Sequence, residues 1–171
     1  MDSSETQTKR YSALPQHIRD ALNGIEPSWD GDLAYFPCRV VLKDGRVGDN
    51  VYIVAEQPYI RMWGIYPEDD RGKSSIRIED LVEVNESPIR LPAKFANQLY
   101  KAGESGMGYT IFTLVFSDGL TQACGTGNAI DFIRYPANKG PDDVVAVLPH
   151  EGRRDDSLVS MPDYTWCIYS E

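Results

Sequence analysis

Cys124, Asp131 and His150 are the side chains from which this chain could assemble a nucleophile, an orienting group and a base. The thiol opens the run Cys124-Gly-Thr-Gly-Asn128, whose two glycines permit close backbone approach. His150 lies downstream, and Asp131 or Asn128 could hold its ring in a Cys-His-Asp/Asn arrangement. The local signatures of cysteine proteases are absent. A strand position beside a hairpin turn equally suits a small buried hydrophobe, so a structural thiol is the favoured reading of Cys124.

Glu104-Ser105-Gly106-Met107-Gly108 is a second place where chemistry could sit. Ser105 is not in a nucleophile elbow, because here a helix precedes the serine instead of following it. The loop also leaves a helix at its C-terminus, the wrong end for an anion. Gly125-Thr-Gly-Asn128 lacks the third glycine and the following helix of a dinucleotide fingerprint. Turn chemistry accounts for both runs. Metal binding has little to draw on: His17 and His150 are far apart, no Cys-x-x-Cys pair exists, and neither Glu68-Asp69-Asp70 nor Asp142-Asp143 has a calcium-loop pattern. No cofactor or metal is expected.

Aromatic residues crowd the chain, among them Trp29, Tyr35, Tyr59, Trp63, Tyr109 and Phe132. Alternation assigns most of them to the core. Any left over where two lobes meet would line a cleft for a ligand or peptide. Glu104, Ser105, Asn128, Trp29 and Trp63 are therefore the candidate binding residues, and Cys124, His150 and Asp131 the candidates should the protein be a small hydrolase-like enzyme.

The elements that must position these residues recur in order. Leu14-Pro15 and Leu91-Pro92 each open a helical stripe, Leu14, Ile18, Leu22 in one case and Leu91, Phe95, Leu99 in the other. An aromatic-led β run then ends in Asp44-Gly45 or Asp118-Gly119. A Tyr-Pro step follows, Tyr66-Pro67 or Tyr135-Pro136. Each series closes on an acidic pair and alternating valines, Glu79 to Val84 and Asp142 to Val147. Fixed order with small deletions is the mark of an internal repeat. The expected organisation is a tail over 1–13, an acidic first repeat over 14–88, a shortened second repeat over 89–150, and a polar linker with a C-terminal β segment over 151–171.

Within each repeat the pattern predicts one short helix (15–25 and 92–102) and a three- or four-stranded antiparallel meander. Strands are expected at 35–42, 51–55, 59–65 and 76–84, then at 109–116, 120–124, 129–134 and 144–148. The Asp-Gly pairs suit type I′ hairpin turns, and Pro37 inside a strand argues for an edge or a bulge. The fold class expected is α+β, mainly β, each unit resembling a small SH3- or Sm-like barrel in shape, with the two copies packed as one pseudo-symmetric body. The Tyr164–Tyr169 segment has no counterpart in the first repeat; an added edge strand, a cover over the seam and pairing with another molecule are all open to it.

The charge is −9 over 171 residues, and it is uneven. Residues 14–88 carry 8 basic and 14 acidic groups, whereas 89–150 carry 5 of each. With no basic stripe to displace counterions, nucleic-acid binding is disfavoured. No apolar run approaches the ~20 residues of a membrane span, and the polar start reads as a frayed tail and not a signal peptide. Cys38, Cys124 and Cys167, odd in number and widely spaced, fit reduced buried thiols better than a disulfide framework. The expectation is a cytoplasmic, non-catalytic binding protein, an acidic inhibitor or adaptor for a basic protein partner. A small enzyme with a site in the second repeat or the inter-repeat cleft is the alternative.

Overall fold

A computed structural model describes residues 10–171. The first nine residues of the expected tail lie outside the described residues. Arg10 to Ala13 are held in place: Arg10 N–H donates to Glu56 Oε1 at 3.2 Å, and Ser170 N–H donates to Ser12 O at 2.9 Å.

The protein is α+β, mainly β, with three α-helices and two sheets among the described residues. Helix α1 (Gln16–Asn23) is followed by strands β1 (Ser28–Asp30), β2 (Leu33–Leu42) and β3 (Val47–Ala55). Then come helix α2 (Glu56–Trp63) and strands β4 (Ser74–Ile76) and β5 (Leu81–Glu86). Helix α3 (Ala93–Ala102) precedes β6 (Thr110–Phe116), β7 (Thr121–Thr126), β8 (Val144–Pro149), β9 (Val159–Ser160) and β10 (Thr165–Tyr169). The N-terminal sheet runs β1-β2-β3-β10-β4, with β5 also on β2; the C-terminal sheet runs β8-β6-β7-β9. No helix among the described residues is long and apolar enough to cross a membrane.

Both helix expectations hold to within two residues at either end. Ile18 and Leu22 bury one face of α1, and Phe95, Ala96 and Leu99 bury one face of α3. Strand β6 alternates buried and half-buried residues along its whole length. The Asp-Gly hairpins are also present, but not as type I′ turns, which require positive φ at both central residues. Only the glycines have it, Gly45 at 86° and Gly119 at 88°. Leu42 N–H donates to Arg46 O and Gly45 N–H to Leu42 O, both at 2.9 Å. Phe116–Leu120 and Gly119–Phe116 repeat those two bonds. This is the three-residue loop closed by a glycine bulge. Asp44 and Asp118 stabilise it by accepting the N–H of Arg46 and Leu120, each at 3.0 Å.

The two sheets share further details. A 3₁₀ turn precedes one strand of each, Ile78–Asp80 before β5 and Pro141–Asp143 before β8. The residue after each hairpin's first strand bonds to that turn, Lys43 N–H to Asp80 O at 2.9 Å and Ser117 N–H to Asp143 O at 2.8 Å. Register shifts between Val41 and Leu42 on β2 against β5, and between Val115 and Phe116 on β6 against β8.

Neither sheet closes into a barrel, which corrects the barrel-like shape expected of each unit. The edges are extended outward instead: β10 inserts in parallel between β3 and β4, and β9 adds in parallel to β7. The C-terminal segment is therefore an interior strand of the N-terminal sheet. Residues 59–65, expected as a strand, lie largely in α2, which ends at Gly64 with φ 74°. Residues 129–134 form no strand; a single bridge, Arg90 to Phe132, joins them to the chain entering α3. Pro37 sits next to a register irregularity between Cys38 and Val40, as a proline in a strand requires.

The core has three parts. One packs α1 on the N-terminal sheet, another packs α3 on the C-terminal sheet. The third is aromatic and lies where the two sheets meet; it contains Tyr35, Tyr52, Tyr59, Phe132 and Trp166.

Candidate functional site

The junction is fixed by one carboxylate. Asp131 is fully buried. Its Oδ1 accepts the hydroxyl of Ser28 on β1, and its Oδ2 accepts Tyr52 of β3 at 2.9 Å and Tyr100 of α3. The two tyrosine oxygens in turn accept backbone N–H groups, Tyr52 from Asp131 at 2.9 Å and Tyr100 from Ile130 at 3.1 Å. Arg90, 3% exposed, donates to Ser28 Oγ at 3.2 Å and to Leu91 O at 3.1 Å, and pairs with Glu86 at 3.2 Å. Burial pushes the Asp131 carboxyl above the ordinary carboxylate range, while the hydroxyls of Ser28 and Tyr100, the Arg90 charge and the Tyr52 hydroxyl oppose that rise.

Beside this network lies a pocket of about 200 Å³. Asp30 at the end of β1, Glu104 just after α3, and Asn128 bring oxygen acceptors to it. Leu99, Tyr100 and Ile130 give it an apolar wall, and Met62 of α2 contributes a half-exposed thioether. The Asn128 Oδ1 atom is buried and accepts no hydrogen bond. Leu99, Tyr100 and Gly103 present the C-terminal end of α3, which carries partial negative charge. Burial, then the charges of Glu104 and Asp131, raise the Asp30 carboxyl. Among the described residues neither Asp30 nor Glu104 is in an ion pair with a basic side chain. Glu104 is exposed, and its Oε2 accepts the Gly108 N–H at 3.2 Å.

The residues singled out from the sequence separate into distinct places. Glu104 and Asn128 meet in this pocket. Trp29 adjoins it in sequence, but strand alternation sends its side chain to the opposite face of β1 from Asp30, half exposed. Trp63 belongs to the aromatic core, stacked on Tyr59 and donating its indole N–H to Tyr35 at 3.2 Å.

Ser105 and His150 do meet, on the surface. Ser105 Oγ lies 2.8 Å from His150 Nδ1, and His150 Nε2 lies 3.2 Å from Ala102 O. With the ring proton on Nε2 for that carbonyl, Nδ1 accepts the serine hydroxyl. Ser105 Oγ also accepts Ile111 N–H at 2.8 Å, so the hydroxyl ties the loop after α3 to β6. His150 ties the end of β8 to the end of α3.

Cys124, His150 and Asp131 share no hydrogen bond. Cys124 is enclosed in the C-terminal core, its sulfur 3.6 Å from Gln122 O, and burial pushes its thiol up to about 11. At neutral pH it is a protonated, enclosed thiol with no base beside it. Cys38 and Cys167 are also free and buried. No three His, Cys, Asp or Glu side chains among the described residues are placed to hold a metal ion.

Asp30, Tyr52, Tyr100 and Arg90 were not singled out in the sequence. Asp30 sits in Trp-Asp-Gly, which reads as a turn, and nothing local marks the two tyrosines as partners of a carboxylate many residues away. Comparison with known protein families, with curated proteins and with solved structures gives no match.

Proposed function

We propose that this is a non-catalytic, cytoplasmic binding protein that captures a lysine or arginine side chain of a basic protein partner in the acceptor-lined pocket beside Asp131. The observation that carries this reading is the grouping of Asp30, Glu104 and the undonated Asn128 Oδ1 in one pocket, with neither carboxylate in an ion pair among the described residues. The apolar wall of Leu99 and Ile130 suits the aliphatic stem of such a side chain, with its charged head at the carboxylates. The acidic surplus of residues 14–88 favours rapid encounter with a basic surface.

In this proposal the chain arose by duplication of a unit with one helix and three main strands, α1-β2-β3-β5 and α3-β6-β7-β8. The matching hairpin bonds, register shifts and 3₁₀ turns support it. The copies then diverged, and the binding site formed where they pack together.

The test is affinity capture from native extract on columns of wild-type protein and of the Asp30→Asn/Glu104→Gln variant, at low and high salt. A basic protein held by wild type, released by salt and lost from the variant supports the proposal. Equal retention on both columns, or none on either, removes it.

A further inference from the structure

A larger groove, of about 600 Å³, opens between the two sheets. The chain entering β4, the start of β6, the end of β7 and the connection from β9 to β10 border it. It adjoins the pocket beside Asp131: Thr110 lines both, and Gly127 of the groove directly precedes Asn128 of the pocket. A chain that enters one hollow therefore reaches the other within a few residues, at ~3.3 Å of extended backbone per residue. β4 and β9 are the outermost strands of their sheets. The groove is thus bordered by strand edges, which an extended segment matches and a helix does not.

The two charges of the lining differ in their partners. Lys73 is met within the protein: its ammonium lies 2.8 Å from Asp70 and 4.5 Å from the centre of the Trp63 ring. Asp163, the one carboxylate in the lining, is exposed and in no ion pair among the described residues. Asn50 donates its side-chain amide to the Asp163 main-chain carbonyl, which holds that residue in place. Tyr164 follows it, half-buried, with its ring edge-on to Tyr52 at 5.3 Å and to Trp166 at 5.5 Å. Tyr109, the other tyrosine of the lining, already faces Arg153, whose guanidinium carbon lies 5.3 Å from its ring centre. An unpaired carboxylate beside a fixed aromatic ring suits a cation, by charge and by the ring's negative face.

We propose that one extended segment of the basic partner occupies both hollows. One basic side chain enters the pocket of Asp30 and Glu104, and a second, a few residues along, lies at Asp163 and Tyr164. This rests on the reading of the smaller pocket given above, and adds to it the form of the partner and a second point of recognition. The groove is larger than a guanidinium or ammonium group requires, which leaves room for the main chain of the segment. The exposed hydroxyls of Ser74 and Ser160 offer bonds to its amides. A single exposed carboxylate holds a cation weakly. Affinity comes from linking the two sites, because the second contact is then made within one bound molecule.

The experiment is a calorimetric titration of the full chain with N-acetyl-arginine amide and with acetylated, amidated peptides of two arginines separated by none to three glycines. One spacing should bind at least ~10-fold more tightly than the single arginine, the gain expected when a linker matches its span. Asp163→Asn, at an exposed position, should leave the melting curve unchanged and return that peptide to within ~2-fold of the single arginine. Asp142→Asn, exposed and in neither lining, should leave the gain intact. Equal gain at every spacing, or a gain that survives Asp163→Asn, would overturn the inference. The two readings fail differently. If the single arginine binds through Asp30 and no spacing improves on it, the bridge falls and the pocket stands. A gain that needs Asp163 but is indifferent to Asp30→Asn removes the pocket and the bridge together, as does the absence of binding by every probe.

Discussion

Tyr52 and Tyr100 donate their hydroxyls to the same oxygen of Asp131, although one lies on β3 of the N-terminal sheet and the other on α3. Each hydroxyl also accepts a backbone N–H from the segment that carries the carboxylate. The bonds form a closed set in which every polar atom of the contact has a partner. Such sets hold elements in one arrangement when complete and are costly when broken. Asp131 is thus a structural carboxylate, and the pocket beside it inherits its shape from that contact.

Replacing Asp131 with Asn should lower unfolding free energy by about 2–3 kcal/mol, because one of the two oxygens that accept hydroxyls becomes an NH2 group that cannot. The pH dependence has a definite sign. The folded carboxyl is raised above its unfolded value, so its contribution is complete below the unfolded pKa and is lost as pH rises through the folded one. Urea unfolding of wild type across that interval should show this declining component, and Asp131→Asn should lack it. An identical pH profile for the two proteins would refute the assignment.

The pocket should respond oppositely on binding. Asp30 is raised in the free protein by burial and by neighbouring negative charge. An incoming cation favours its ionised form, so affinity for N-acetyl-arginine amide should increase as pH rises through the raised pKa and then level off. Asp30→Asn should flatten the profile and weaken binding about 5- to 20-fold, on the order of 1–2 kcal/mol for a charge-assisted bond. Calorimetric titration over pH 4 to 8 (roughly the range in which perturbed carboxyls titrate) checks both effects. The uncharged analogue N-acetyl-citrulline amide provides the control, and equal affinity for it would exclude a charge-reading pocket.

Parts of this arrangement were legible in the sequence because they are local. The stripes of α1 and α3 repeat every three to four residues, and each Asp-Gly sits at a turn whose geometry glycine makes possible. The α2 segment misled because Tyr59, Ile60 and Trp63 are strand formers by propensity. It is helical since Tyr59 and Trp63, four residues apart, then both reach the ring of Trp166. That ring arrives on β10, far along the chain, and no local pattern announces a strand inserted between β3 and β4. Asp131 was marked as a polar residue near Cys124 and His150, but sequence spacing carries no information about which groups are buried together. Glu104 and Asn128 were named because each belongs to a glycine-containing run, and both line the pocket beside Asp131.

The thiols make a direct test of the enclosed reading of Cys124. All three cysteines are buried and raised by desolvation. Ellman's reagent at neutral pH should leave the folded protein unlabelled over minutes and titrate three equivalents in denaturant. Cys124→Ala should cost about 1–2 kcal/mol from lost packing and leave cation binding untouched. Fast labelling of one thiol in the folded protein would revive the nucleophile.

The equivalence of the two hairpins can be measured at their glycines. Gly45 and Gly119 have nearly the same positive φ and make the same pair of loop bonds, and a Cβ at either would meet nothing within 4 Å. Steric crowding is thus absent, and the cost of alanine is the left-handed backbone alone, about 1 kcal/mol at each site. His150, at φ 65°, supplies the contrast. His150→Gly relieves the backbone but loses the bonds to Ser105 and Ala102, whereas His150→Ala loses those bonds and keeps the strain. Urea melts should therefore give equal losses for Gly45→Ala and Gly119→Ala, with His150→Ala less stable than His150→Gly by a similar margin. Unequal glycine costs would mean that the two loops are alike in form but not in the strain they place on the chain, and the case for descent from one unit would lose its energetic support.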